Sequence, residues 1–172
     1  MSGIVGQDLQ VESGKLGFPA GHIIQTQVTY SDTKSSISSS QYNAYNEPST
    51  AYRVTISPKF KNSMMIVTYY VPMNITAANS APSCVKHLRA FRIIGSGSKD
   101  TALSSRGGAS SSRQQIAGHS FRKLNGHDAN DQQAESFIVI DYPNTTSSTV
   151  YGFEYYQEAS NASDDYFGYS SY

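Results

Sequence analysis

The stretch MMIVTYYV at residues 64–71 decides the fold class of this chain. Apart from Thr68 every side chain in it is apolar or aromatic, so both faces of an extended segment would be apolar. β-Branched and aromatic residues fit a pleated surface, and an apolar run of this length is typical of a buried strand. The stretch therefore predicts a central strand of a sandwich, with Met65, Val67, Tyr69 and Val71 in the core.

Segments on both sides of this stretch also alternate between apolar and polar side chains, with the period of two that a strand requires. No apolar stripe at helical spacing lasts for three turns, so we expect little helix. Six to eight strands joined by turns and long loops predict an all-β fold, a two-sheet antiparallel sandwich of jelly-roll type. The further predicted strands are 23–30, 52–56, 85–94, the region around Phe121 and Leu124, 137–140 and 150–156.

Two polar regions interrupt the strand pattern. Residues 31–50 predict a long surface loop with room for a short edge strand, and residues 95–118 predict an exposed excursion rich in Gly, Ser and Arg. At 172 residues the chain suits one domain. We assign that domain, a β-sandwich, to residues 21–172 and an extended N-terminal arm to residues 1–20, which contain four glycines. The apolar residues of the arm, which could anchor it, are Ile4, Val5, Leu9, Val11, Leu16 and Phe18.

Charge and cysteine content exclude several classes of function. Thirteen basic and thirteen acidic residues cancel, and only 15% of residues are charged, which argues against binding to nucleic acid or to an anionic membrane. Cys84 is the single cysteine, so an intramolecular disulfide and a thiolate metal cage are excluded. No signal peptide or apolar run of transmembrane length is present, which predicts synthesis in a host cytoplasm.

The residue types that carry out catalysis are scattered along the chain. The four histidines lack the spacing of zinc ligands, and no paired carboxylates at the spacing of a glycan hydrolase stand out. We therefore predict no enzyme activity, no catalytic residue, no cofactor and no metal site. Calcium binding stays open, although the acidic residues lack the alternating pattern of a calcium loop. The residues weighed are His22, His87, His119, His127, Asp128, Asp131, Asp164 and Asp165.

The C-terminal part of the chain is rich in aromatic residues, and two interpretations of it remain open. The rings could fill the core and the sheet faces of the sandwich. Alternatively, rings exposed at the terminus could contact another subunit or a ligand, because tyrosine offers a large contact area together with a hydroxyl. The residues concerned are Tyr166, Phe167, Tyr169 and Tyr172.

Five short motifs together resemble a known group of proteins. They are GHIIQTQV at 21–28, VTISPK at 54–59, SMMIV at 63–67, SFIVIDYPNTT at 136–146 and TVY at 149–151. This order is similar to that of β-sandwich virion proteins of tailed phages, especially marine ones, which serve as tail-fibre, head-fibre and capsid-decoration components. The likeness covers most of residues 21–156, whereas the long loops at 31–50 and 95–118 depart from the usual short connections.

The resemblance implies a homotrimer of jelly-roll-like domains, related in shape to tumour-necrosis factor, on the surface of a virion. It implies no cofactor and no catalytic residue. We expect a capsid-decoration or head-fibre protein bound to the major capsid protein through its arm. A tail fibre usually needs a long adaptor and shaft before its tip, whereas about twenty residues reach at most ~70 Å even when fully extended. The alternative is a tail component or receptor-binding module that recognises host-surface glycans through tyrosines and the two long loops.

Overall fold

The computed structural model describes residues 11–12, 15–16, 23, 25–37, 44–75, 83–104, 118–124, 131–157 and 165–167. This part of the chain contains ten β-strands and one 3₁₀ turn at Thr50–Tyr52, so the predicted all-β class is confirmed. The strands are β1 (Val11–Glu12), β2 (Lys15–Leu16), β3 (Ser35–Ile37), β4 (Val54–Ile56), β5 (Met65–Ile75), β6 (Ser83–Ile94), β7 (Gly118–Leu124), β8 (Asp131–Asp141), β9 (Thr149–Gln157) and β10 (Asp165–Phe167).

Eight of these strands form two four-stranded antiparallel sheets that pack face to face. The first sheet has the strand order β3-β10-β5-β8 and the second has the order β4-β9-β6-β7. Within each sheet every neighbouring pair is antiparallel. The predicted two-sheet antiparallel sandwich is therefore confirmed.

The strand pairs follow a simple rule along the chain. β6 pairs with β7, and then β5 pairs with β8, β4 with β9 and β3 with β10. The chain is thus one long antiparallel ribbon whose tip lies between β6 and β7, and this ribbon folds across the two sheets. Such a wrapped ribbon of eight strands in two sheets is a jelly roll, as the sequence predicts.

The core lies between the two sheets and is rich in aromatic rings. Tyr69 of β5 stacks on Phe137 of β8 with ring centroids 4.5 Å apart, and it meets Phe153 of the second sheet edge-on at 6.1 Å. Its hydroxyl donates a 3.0 Å hydrogen bond to the carbonyl of Gly152 in the second sheet. Burial raises the pKa of Tyr69, so the phenol stays protonated and keeps donating. This side chain therefore joins the two sheets.

The core residues predicted on β5 are confirmed. Met65, Tyr69 and Val71 are buried, and Val67 is partly buried against the core cluster. The remaining strand predictions correspond to β4, β6, β7, β8 and β9, and β3 is the short edge strand within residues 31–50.

The predicted strand at residues 23–30 is wrong for the described residues of that segment. Residues 23 and 25–34 belong to no strand, and the side chains of Ile23, Val28 and Tyr30 are more than four-fifths exposed. The alternating pattern identifies side chains that suit a sheet, but it does not supply the neighbouring strand that a sheet needs. Within the described part of the chain, this segment therefore has the sequence pattern of a strand without a neighbouring strand.

Within the N-terminal arm, β1 and β2 form a small antiparallel hairpin in which Val11 is the partner of Leu16. The arm is therefore not extended throughout, because Val11–Glu12 and Lys15–Leu16 run antiparallel to each other. The other predicted anchoring residues, Ile4, Val5, Leu9 and Phe18, lie outside the described residues.

One ion pair is buried at the end of the sandwich where β6 and β8 finish. Asp141 is fully buried, and both of its carboxylate oxygens accept hydrogen bonds from Nη1 of Arg92, at 2.7 and 2.8 Å. Tyr151 donates a third bond of 2.9 Å, and burial together with this carboxylate raises the pKa of the phenol. Ser104 donates to Asp141 from its backbone N–H at 3.3 Å and from its hydroxyl at 3.2 Å. The carboxylate therefore ties the segment after β6 to the sandwich.

Candidate functional surface

The outer face of the second sheet is covered by side chains of the same chain. Phe91 of β6 points away from the core and yet is fully buried. It lies opposite Gly152 of β9, where an added Cβ would come within 2.5 Å of the ring. The ring therefore occupies the space that a larger side chain at position 152 would need.

Charged side chains lie over and around this ring. The Nζ of Lys99 is 4.6 Å from the centroid of Phe91 and forms ion pairs with Glu47 at 2.9 Å and Glu154 at 3.2 Å. Arg53 holds Glu47 through two bonds of 2.6 and 2.7 Å, and Arg89 holds Glu154 at 2.7 Å. Five charged residues thus form one connected network, which we call the charged cover.

Within the charged cover, the surroundings of Glu47 favour its ionised form. Burial pushes the pKa of Glu47 upward, but hydrogen bonds and charge from Arg53 and Lys99 outweigh it, so the pKa is lowered overall. The stabilisation from Glu47 is therefore present above the ordinary glutamate pKa and is lost as pH falls through the lowered folded-state pKa. At neutral pH Glu47 is therefore ionised and keeps its bonds to Arg53 and Lys99.

The outer face of the first sheet is different because its apolar side chains are exposed. The exposed fractions are 62% for Ile66, 71% for Tyr70 and 64% for Ile138. β5 is therefore buried on its core side only. The run at residues 64–71 is apolar on both sides, but only the side with Met65, Tyr69 and Val71 faces the core.

These exposed residues are neighbours in the sheet. Ile66 is the partner of Ile140, and Thr68 is the partner of Ile138, so the three isoleucines lie together across β5 and β8. Where residues 66–72 of β5 pair with residues 134–140 of β8, none of the eight outward positions holds a charged residue. We call this surface the isoleucine face, and its positions are Ile66, Thr68, Tyr70, Pro72, Ala134, Ser136, Ile138 and Ile140.

Two aromatic residues and a methionine are exposed at the end of the sandwich where β5 begins. Met64 and Phe60 are each 50% exposed, and Tyr142 is 46% exposed. The hydroxyl of Tyr142 lies 3.3 Å from Sδ of Met64, which joins the connection before β5 to the one after β8. Apolar surface therefore continues from the isoleucine face toward this end.

The predicted C-terminal contact residues have different positions. Phe167 does not form the exposed contact that was one of the two interpretations. Its side chain is 1% exposed and packs edge-on against Tyr155 with ring centroids 5.0 Å apart, so it belongs to the core. Tyr166 is placed in β10, with Ser36 and Asn74 as its partners on either side. Tyr169 and Tyr172 lie outside the described residues.

The described residues include neither a metal cluster nor a membrane-spanning helix. Among the described residues, no three or more His, Cys, Asp or Glu side chains lie close enough to hold a metal ion. Asp131 and Asp165 are the first residues of β8 and β10, while Asp128 and Asp164 lie outside the described part. No helix in the described ranges is long and apolar enough to cross a membrane.

The isoleucine face is the surface that sequence reasoning missed. Its signal was present in residues 64–71, whose second apolar side was given no functional role. No family model, curated protein or solved structure matches this chain. The functional interpretation therefore depends on the jelly-roll topology and on the contrast between the two outer faces.

Proposed function

We propose that this chain is a structural protein of a phage virion. In this proposal it forms a homotrimer on the capsid surface, as a decoration or head-fibre protein, and its N-terminal arm, residues 1–20, binds the major capsid protein. The role is to build and cover a particle rather than to catalyse a reaction.

The observation that carries the proposal is the isoleucine face. Soluble monomers rarely expose large contiguous apolar patches, and such a patch is typical of a protein–protein interface. The charged cover lies over Phe91 on the opposite side of the sandwich, and among the strand side chains that the structure describes, the exposed large apolar ones all belong to the first sheet. Jelly rolls are also frequent among viral capsid domains, which supports a particle component. The fold alone would not choose among its many known uses.

Labelling of intact particles tests the location. We expect gold-coupled antibody against this chain to label the capsid surface of purified phage particles that carry its gene. Particles without label would overturn the proposal, and label confined to the tail would replace it with the tail-component alternative. A chain lacking residues 1–20 is the matched variant, and we expect it to be lost from particles while the isolated protein keeps its β spectrum.

A second candidate, glycan recognition, is favoured by the exposed rings of Phe60 and Tyr142 at one end of the sandwich. Aromatic faces and hydroxyls suit sugar rings, and lectins also use jelly rolls. In this case we expect the protein to bind specific glycans on an array and Tyr142→Ala to reduce the signal at least tenfold. The control is Thr55→Ala, which alters an exposed residue of β4. The absence of binding to any glycan, or equal binding by Tyr142→Ala, would remove this candidate.

A further inference from the structure

A second exposed apolar surface lies just before β3. Residues 25–31 are not part of a strand, and residues 26–30 are all exposed. Val28 and Tyr30, which are 82% and 91% exposed, are two positions apart and so share one side of an extended chain. The sequence contains no Asp, Glu, Lys or Arg between Lys15 and Asp32. We call residues 25–31 the free segment.

We propose that the free segment of one copy binds the isoleucine face of a second copy of this chain. Val28 and Tyr30 then pack against Ile66, Tyr70 and Ile138, so that two exposed apolar surfaces are buried in one contact. Both surfaces are uncharged, so their association removes no charged group from water. Burial of apolar area is the driving force.

The geometry of the first sheet favours a neighbouring copy over the same copy. The free segment leads into β3, and the hydroxyl of Tyr52 donates a 2.6 Å hydrogen bond to the carbonyl of Thr33, which holds the chain there. β3 and β8 are at opposite edges of the sheet, with β10 and β5 between them. Ile138 therefore lies at the far edge from the point where the segment leaves its own sandwich. Residues 26–30 are exposed in this chain, so they do not cover the isoleucine face of their own copy.

Because the two surfaces differ, the contact is heterologous, and each copy binds one neighbour and is bound by another. Heterologous contacts form a closed ring when the rotation between copies closes, and an open filament when it does not. The inference rests on the proposed function only for the number of copies, since the trimer proposed above would be such a ring. The contact itself does not require a virion.

Cross-linking between two cysteine variants tests the contact. Val28→Cys and Ile138→Cys, both in a Cys84→Ser background that removes the native thiol and one carrying a tag that changes its size, are co-expressed and mildly oxidised. We expect a mixed disulfide between the two variants, at least tenfold more abundant than in a matched pair in which Thr55→Cys replaces Ile138→Cys. A homodimer of Ile138→Cys in place of the mixed product would indicate face-to-face packing and would overturn the proposal, as would the absence of any cross-link.

Charge substitutions give an independent test that does not depend on disulfide chemistry. We expect Val28→Asp and Ile138→Asp each to sediment as monomers, and Thr55→Asp to keep the mass of the unaltered protein. An equimolar mixture of Val28→Asp and Ile138→Asp should form dimers, because one intact segment and one intact face remain. A mixture that stays monomeric, or a single variant that keeps the full mass, would contradict the proposal.

The outcomes separate the contact from the function. If antibody labels the particles but no mixed disulfide forms, the proposed contact is contradicted and the virion role is retained. A mixed disulfide with unlabelled particles would do the reverse.

Discussion

Replacement of Asp141 by alanine should lower the free energy of unfolding by about 3–5 kcal/mol, because it leaves the Arg92 guanidinium in a largely buried site without its main partner. The carboxylate is fully buried and accepts hydrogen bonds from Arg92, Tyr151 and Ser104. Those donors would lose their acceptor together. Urea unfolding followed by circular dichroism at fixed protein concentration measures the change.

Asp100→Ala is the matched control for this experiment. Asp100 also pairs with Arg92, at 2.9 Å, but its side chain is 42% exposed. Water can replace a partly exposed partner, so we expect a loss of about 1 kcal/mol or less from the ion pair. Where Asp141→Ala fails to fold, Asp141→Asn keeps the shape and still removes the charge. Equal losses at positions 141 and 100 would contradict the assigned importance of the buried carboxylate.

Phe91→Ala should have a similarly large effect, about 3–5 kcal/mol, although the ring lies on the outer side of its sheet. The ring is fully buried between Gly152 and the charged cover, so its removal leaves a cavity under Lys99. Thr55→Ala, at an exposed position of the same sheet, is the control, and we expect it to change stability by less than about 0.5 kcal/mol. Urea unfolding again provides the measurement.

A double-mutant cycle shows whether the ring and the glycine depend on each other. Alone, Gly152→Ala should destabilise by about 1–3 kcal/mol, because its Cβ would lie 2.5 Å from Cζ of Phe91. In the Phe91→Ala background that clash is absent, and the same substitution should cost little. Additive effects of the two substitutions would show that the ring does not limit position 152.

The fold class could be predicted from the sequence because each strand leaves a local pattern, either alternating apolar and polar residues or a short apolar run. Residues 64–71 predicted β5 and its core positions Met65, Tyr69 and Val71, all of which are buried. The resemblance and the strand count together predicted a jelly roll, and the strand order confirms it. The pairing rule itself could not be read from the sequence, because partners such as Ile37 and Asp165 lie far apart in the chain.

The candidate surface could not be predicted because burial is a property of the assembled sheets. An apolar run such as residues 64–71 has the same pattern whether its second side is covered or exposed. Conversely, Arg89 and Lys99 are charged in the sequence, yet both pair with the buried Glu154, and Lys99 also lies over Phe91. Residues 23–30 are a third case, because their alternating pattern predicts a strand but does not say which strand would pair with it.

The ribbon topology has a consequence for how the molecule forms. Its innermost pairing joins Arg89 to Gly118, whereas its outermost joins Ile37 to Asp165. The entropy lost in closing a chain loop increases with its length, so contacts near the tip cost least to make and those near the two ends cost most. The outermost strand β3, into which residues 25–34 lead directly, is thus the part of the sandwich whose order depends most on everything else having already folded.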